Sequence, residues 1–171
     1  MPDMFSVEDA ISYLKQLHHL VMYLGICDGN MQEGSFRCDA NISLRKNSDA
    51  PFGTRVEIKN LNSFRFIEKA LRYEISRQNA MLDRNESIIQ ETRLFNETTE
   101  VTKSMRKKED SHDYRYFPEP DLPTLLIDKA YIESLRDELP ELPSARSTRY
   151  QDSYNLSAYD ANVLVSIRQI A

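Results

Sequence analysis

Two runs of alternating polar and apolar residues constrain this chain most, because a period of two is typical of β-strands with two different faces. The polar positions of the first run are Arg37, Asp39, Asn41 and Arg45, and those of the second are Arg55, Glu57 and Lys59. The apolar residues between them can pack on a core. The polar face either serves phosphate and metal chemistry or is the solvated side of an antiparallel sheet.

Length and charge set the first limits on fold and function. The 171 residues are enough for one or two domains with a buried core. The net charge of -5 argues against nonspecific nucleic-acid binding by bulk charge, so any RNA contact must use a local basic patch. Cys27 and Cys38 form no CxxC pair, there is no signal peptide and no apolar run approaches a membrane span, which together favour the cytoplasm.

Helical periodicity on both sides of the strands predicts an α+β part, with helices packed on an antiparallel sheet. Residues 7–24 read as a helix with a capping box at Ser6 and Asp9, and a second helix begins at Asn62 or Ser63. Residues 87–95 and 99–105 predict a β-hairpin.

A second, all-α part is predicted after residue 140. Leu125–Ile127 reads as a short strand, and Asp128 caps a helix that ends at Leu139. Pro140 and Pro143 mark a linker, which divides the chain into domains at 1–140 and 141–171. Two helices are expected to begin near Ser144 and Ser157.

Glu33 and Glu57 are the candidate metal ligands. Both flank or lie on the polar strand face, and Mg2+ takes hard oxygen ligands. The alternative is that both are surface acids in ordinary salt bridges.

Four further residues could assist a phosphoryl transfer, which needs cations to neutralise oxygen charge and acids to orient them. They are Arg37, Asp39, Asn41 and Lys59. Arg37 and Lys59 would act as clamps, while Asp39 would orient them or bind a second metal. The alternative is a cross-strand charge ladder worth less than ~1 kcal/mol per pair.

The segment 103–115 is the one local basic cluster, and the aromatic residues Tyr114, Tyr116 and Phe117 lie beside its last basic residue. The candidates for nucleotide or tRNA contact are Arg106, Lys108, Arg115 and Tyr116. The alternative is a rigid loop whose Tyr and Pro residues pack on the sheet.

Long contiguous segments resemble the B subunit of the glutamyl/aspartyl-tRNA amidotransferase. They are MQEGSFRCDANISLR, GTRVEIKNLNSFRFIEKALRYEISRQ and SMRKKEDSHDYRYFPEPDLP, while PELPSARSTRYQDSYNLSAYDANVL resembles the start of the helical domain in that family. The opening PDM is similar to the middle of a family motif, and the chain ends inside a predicted helix at SIRQIA. We therefore expect an excised piece that is inactive alone.

The resemblance implies a glutamine synthetase-like cradle and a carbon–nitrogen ligase. ATP would activate the side-chain carboxylate of glutamyl-tRNA(Gln), or of aspartyl-tRNA(Asn), as an acyl phosphate that ammonia attacks. Glu33 and Glu57 would hold Mg2+ with groups from an N-terminal part, and Gln32 stands where the family usually has an acid. The implied partners are the amidase (A) subunit, which supplies the ammonia, and the small C subunit.

Two other functions compete with this interpretation. A noncatalytic tRNA-binding or assembly module would use the basic segment and leave the acids structural. A small free-standing metal hydrolase would need His ligands that the sequence does not supply at metal-binding spacing. Binding of Mg2+ and nucleotide separates the ligase from the noncatalytic module.

Overall fold

The structure is a computed structural model that describes residues 4–107, 120–168 and 170. The chain divides into two compact units, Met1–His18 with Cys27–Asp110 and His19–Ile26 with Ser111–Ala171. The sheet lies in the first unit, and three of the helices lie in the second.

The first unit contains a four-stranded sheet in the order β1-β2-β3-β4. Its strands are β1 Ala40–Ile42, β2 Val56–Lys59, β3 Glu91–Asn96 and β4 Val101–Lys107. The β1/β2 and β3/β4 pairs are antiparallel, and β3/β4 is the predicted hairpin. The α+β class is therefore confirmed.

The central pair β2/β3 is parallel, so the sheet is mixed rather than antiparallel throughout. The reason is the connection, because parallel neighbours need a crossover segment between them. Helix α2, Phe64–Asp83, provides that crossover between β2 and β3. The sequence predicted this helix but not the direction in which it returns the chain.

The two helices of this region begin where the capping residues predicted. Helix α1 is Val7–Tyr23, and the Asp9 N–H donates to Ser6 Oγ at 3.0 Å. At the start of α2 the Phe66 N–H donates to Ser63 Oγ at 3.1 Å. Each bond satisfies one backbone donor that a helix start leaves without a partner.

The core lies between the apolar side of the sheet and α2. Ile58, Ile67 and Phe95 are completely buried there. Val56 and Ile58 point into this core while Glu57 and Lys59 stay partly exposed, which confirms the alternation predicted for the second run. Burying each large apolar side chain contributes about 1.5–3 kcal/mol, which fixes the register of β2.

The first run forms a shorter strand than its alternation suggested. Only Ala40–Ile42 pairs with β2, which itself contains just four residues. Arg45 lies beyond β1, and its guanidinium carbon is 5.4 Å from the Phe5 ring centroid and 4.8 Å from that of Phe52. Arg45 is thus engaged in cation–π packing outside the strand.

A buried ionic network joins α2 to the β3/β4 hairpin. Glu74 is completely buried, and its carboxylate accepts from Arg77 Nη2 at 2.5 Å and from Thr102 Oγ1 at 3.0 Å. Arg93 Nε lies 3.5 Å from Glu74 Oε2 and also donates to Thr102 Oγ1 at 2.8 Å. Hydrogen bonding to Glu74 raises the pKa of Arg77. The network offsets the cost of burying the charges.

Gly53 lies where the chain passes close to its own backbone. A Cβ at this position would sit 2.1 Å from the Leu44 carbonyl oxygen, so the backbone would have to shift. We expect Gly53→Ala to lower the free energy of unfolding by about 1–3 kcal/mol, measured by urea denaturation. Ser48→Ala, an exposed change in the same connection, is the control and should stay within about 0.5 kcal/mol. Equal stability of the two variants would contradict the close approach.

The second unit contains α3 Lys129–Glu138, α4 Pro143–Tyr154 and α5 Ala158–Leu164. Asp128 caps α3, as predicted, and Ser157 caps α5, which begins where the sequence placed it. Helix α4 begins one residue before the expected Ser144, with Pro143 in its first turn. Proline fits there because a first-turn N–H has no helical partner to lose.

Residues 125–127 are not a strand, which corrects the prediction. No described strand pairs with them, and Leu125 and Leu126 are exposed. A run of three apolar residues cannot by itself distinguish a strand from an extended connection.

Helix α4 is tied to its surroundings by polar contacts. Ser147 Oγ lies 2.9 Å from Asn162 Oδ1 in α5. Glu141 accepts from Arg149 and Arg146. These bonds lower the pKa of Glu141 to about 2, and the bond from Arg149 has the larger effect.

The domain boundary at 140/141 stays a prediction. No helix in the described ranges is both long and apolar enough to cross a membrane.

Candidate functional site

One side of the sheet brings together two carboxylates and an ammonium group. Lys59 Nζ donates to Asp39 Oδ2 at 2.7 Å and lies 3.5 Å from Glu57 Oε1. Thr92 Oγ1 donates to Glu57 Oε2 at 2.9 Å. We call Asp39, Asn41, Glu57, Lys59 and Thr92 the polar sheet face.

Strand register explains why these residues are neighbours. Asn41 is the antiparallel partner of Glu57, and Thr92 is the parallel partner of the same residue. Directly paired residues project to the same side of a sheet, and residues two apart along a strand share that side. The alternation in β2 therefore puts Lys59 beside Glu57, opposite the core-facing Val56 and Ile58.

The charges of the polar sheet face stay close to solvent. The side chains of Asp39 and Lys59 are 42% and 31% exposed, whereas Glu57 is 15% exposed. The pKa of Lys59 is raised, first by its hydrogen bond to Asp39 and then by the charges of Asp39 and Glu57. Ion pairs of such exposure contribute at most about 1 kcal/mol to stability. The cluster therefore does little to hold the fold together and leaves charged groups accessible to a ligand.

Asp39 and Glu57 fit part of a magnesium site. Their oxygens are hard ligands that already converge on one cation, the Lys59 ammonium. Within residues 4–107 and 120–168, no group of three or more His, Cys, Asp or Glu side chains could hold a metal. These two carboxylates would thus need further ligands.

Glu33 and Arg37 lie outside the strands. Both are exposed, Glu33 in a turn and Arg37 in the irregular segment between that turn and β1. The backbone N–H of Glu33 donates to Asn30 Oδ1 at 3.2 Å, which holds this turn. That Glu33 joins Glu57 at a shared metal, and that Arg37 clamps a phosphate, stay predictions.

The candidates for nucleotide or tRNA contact are only partly covered by the structure. Arg106 lies on β4 as the cross-strand partner of Thr92, next to the polar sheet face in register. Lys108, Arg115 and Tyr116 lie outside the described residues. The RNA-contact role of this segment stays a prediction.

Thr92 is the member of the polar sheet face that sequence reasoning missed. It is completely buried, yet its hydroxyl meets a site carboxylate. The sequence signal for Thr92 is the period of two along β3, which puts Thr92 on the side of the strand opposite Arg93 and Phe95. The sequence did not predict that β3 pairs with β2, so it could not place Thr92 next to Glu57.

The class of the domain follows from comparison with known protein families. Residues 1–133 match the GatB/GatE catalytic domain family. The chain belongs to this family, which confirms the resemblance found in the sequence.

Curated relatives agree with this assignment over almost the whole chain. The B subunit of the aspartyl/glutamyl-tRNA(Asn/Gln) amidotransferase from Ralstonia nicotianae is 55% identical over 99% of this chain and 35% of its own length. The B subunits of the same name from Geobacter sp. and Thioalkalivibrio sulfidiphilus are each 56% identical, over 99% of this chain. The chain spans about a third of the length of these relatives.

Proposed function

We propose that the chain serves in the B subunit of a cytoplasmic aspartyl/glutamyl-tRNA(Asn/Gln) amidotransferase, where its polar sheet face takes part in ATP-dependent activation of a carboxylate. The observation that carries the proposal is the meeting of Asp39, Glu57 and Lys59 on one face of a GatB/GatE-type domain. The partners would be the amidase and small C subunits, together with tRNA-Gln or tRNA-Asn.

The chemistry explains why such a face is useful. A carboxylate is a poor electrophile, so its oxygen first attacks the γ-phosphorus of ATP, the bond to ADP breaks, and an acyl phosphate forms. Ammonia then attacks the acyl carbon, the bond from that carbon to the phosphate oxygen breaks, and inorganic phosphate leaves with one of the ammonia protons, which gives the amide. Both steps build negative charge on phosphate oxygens, and preorganised cations lower the barrier.

The residues of the polar sheet face have distinct roles in this proposal. Lys59 neutralises phosphate charge, and Asp39 orients the ammonium group through their 2.7 Å hydrogen bond. Glu57, with Glu33, holds Mg2+, which when bound neutralises and orients the phosphates of ATP. Asn41, the cross-strand partner of Glu57, can donate its amide to a phosphate oxygen.

Lys59→Met in the assembled amidotransferase tests the proposal. We expect ammonia-dependent amidation of charged tRNA to fall about 100-fold, because a preorganised charge at the transferring phosphoryl group is lost. Binding of Mn2+ should persist, since the two carboxylates remain and lose a competing cation. The measurement is single-turnover amidation together with Mn2+ titration.

Lys69→Met is the matched control, because Lys69 also pairs with a glutamate, Glu100, but belongs to α2. It should leave turnover within about twofold of the unmodified enzyme. If Lys59→Met amidates as well as this control, the polar sheet face is not the phosphoryl-transfer site. A noncatalytic tRNA-binding or assembly module would then be the better interpretation.

A further inference from the structure

The hydroxyl of Thr92 is placed as a support for the Glu57 carboxylate. Thr92 has no solvent exposure, and its Oγ1 donates to Glu57 Oε2 at 2.9 Å. The other carboxylate oxygen, Oε1, lies 3.5 Å from Lys59 Nζ. The two oxygens of Glu57 therefore face different partners.

The backbone around Thr92 shows why the contact is well defined. Glu57 and Thr92 are direct partners in the parallel β2/β3 pair, so their side chains project to the same side. The register of β3 against β4 shifts between Thr92 and Arg93. An irregular register at this point changes the local course of β3 next to Thr92.

A donor in this position has a definite chemical effect. Glutamate has three side-chain torsions, and a hydroxyl bond to one oxygen restricts the orientation of the whole carboxylate. Partners that orient a ligating carboxylate without touching the metal commonly change metal affinity or activity about 10- to 100-fold when they are removed.

We infer that Thr92 is a positioning residue that holds Glu57 in the orientation needed to bind a divalent cation. The inference rests on the proposed function, because it assigns Thr92 a role only if Glu57 is a ligand. Thr92 touches neither ATP nor the metal in this account. It acts through Glu57 alone.

The experiment compares Thr92→Val, which removes the hydroxyl at nearly constant shape, with Thr92→Ser, which keeps it. Mn2+ is the probe, and its dissociation constant for the assembled amidotransferase is measured from the electron paramagnetic resonance signal of free Mn2+. We expect Thr92→Val to weaken binding roughly 10- to 100-fold, and Thr92→Ser to stay within about threefold of the unmodified protein. The KM for Mg2+ should rise in parallel in Thr92→Val.

Glu57→Gln separates the possible failures. If Glu57→Gln weakens Mn2+ binding but a folded Thr92→Val does not, the positioning role is wrong and the proposed function stands. If Glu57→Gln leaves Mn2+ binding unchanged, both are wrong. Should Thr92→Val not fold, Thr92→Ala and Thr92→Ser replace it, since these two variants differ by the hydroxyl alone. Equal Mn2+ affinity of that pair would overturn the inference.

Discussion

Glu74→Gln is expected to lower the free energy of unfolding by about 3–5 kcal/mol, because it leaves buried guanidinium groups without their counter-charge. Glu74 is completely buried, while the side chains of Arg77 and Arg93 are 18% and 12% exposed. These arginines sit on different elements, α2 and β3. The carboxylate thus joins the crossover helix to the hairpin.

The loss should exceed that of a single hydrogen bond. The glutamine oxygen can accept some of the same hydrogen bonds, but it cannot balance the charge of Arg77. Arg77 Nη2 lies 2.5 Å from Glu74 Oε1. Thr102 Oγ1 and Gln78 Nε2 also donate to this carboxylate, both at 3.0 Å. Buried donors that lose an acceptor carry a desolvation cost of their own.

Urea denaturation followed by far-UV circular dichroism measures the effect. Glu68→Gln is the matched control, because Glu68 pairs with Arg72 on the exposed side of the same helix. An exposed pair of this spacing contributes about 0.2–0.5 kcal/mol, so the control should be nearly unchanged. If the two variants lose equal stability, the Glu74 network does not hold α2 against the hairpin.

Glu57→Gln is expected to reduce amidation of charged tRNA by at least about 100-fold in the assembled amidotransferase, while the fold is kept. The substitution preserves the shape of the side chain and can still accept from Thr92 Oγ1, now 2.9 Å from the carboxylate. It removes the negative charge that a divalent cation needs. The loss of this charge should therefore appear as a lower turnover and a higher KM for Mg2+.

Glu97→Gln provides a control for this change in charge. Glu97 is exposed, follows β3 and accepts from Asn62 Nδ2 at 2.8 Å, away from the polar sheet face. Turnover of Glu97→Gln should stay within about twofold of the unmodified enzyme. The melting temperature should be unchanged in both Glu57→Gln and Glu97→Gln. A Glu57→Gln enzyme as active as Glu97→Gln would remove Glu57 from the mechanism.

Sequence reasoning found the faces of the sheet but not its topology. Alternation predicted that Glu57 and Lys59 would lie opposite Val56 and Ile58, because burial on one face fixes the parity of a strand. The parallel pairing of β2 with β3 depends on the path of the whole α2 crossover, which no local pattern contains. Thr92 was missed for this reason.

The buried network shows a second limit of local patterns. Glu74 and Gln78 lie one turn apart on α2, and both are completely buried. Helical periodicity predicts a buried face from apolar residues, so charged residues on that face are read as exposed. The burial of Glu74 depends on Arg93 and Thr102, which belong to strands that follow later in the chain.

Binding of Mg2+ and nucleotide by the polar sheet face is the step on which the proposed function depends. Calorimetric titration of the assembled amidotransferase with ATP, at several fixed Mg2+ concentrations, tests it most directly. We expect Mg2+-dependent ATP binding in the unmodified protein and a loss of that Mg2+ dependence in Glu57→Gln. ATP binding that depends on Mg2+ equally in both proteins would contradict a role for the polar sheet face in binding Mg2+ and nucleotide.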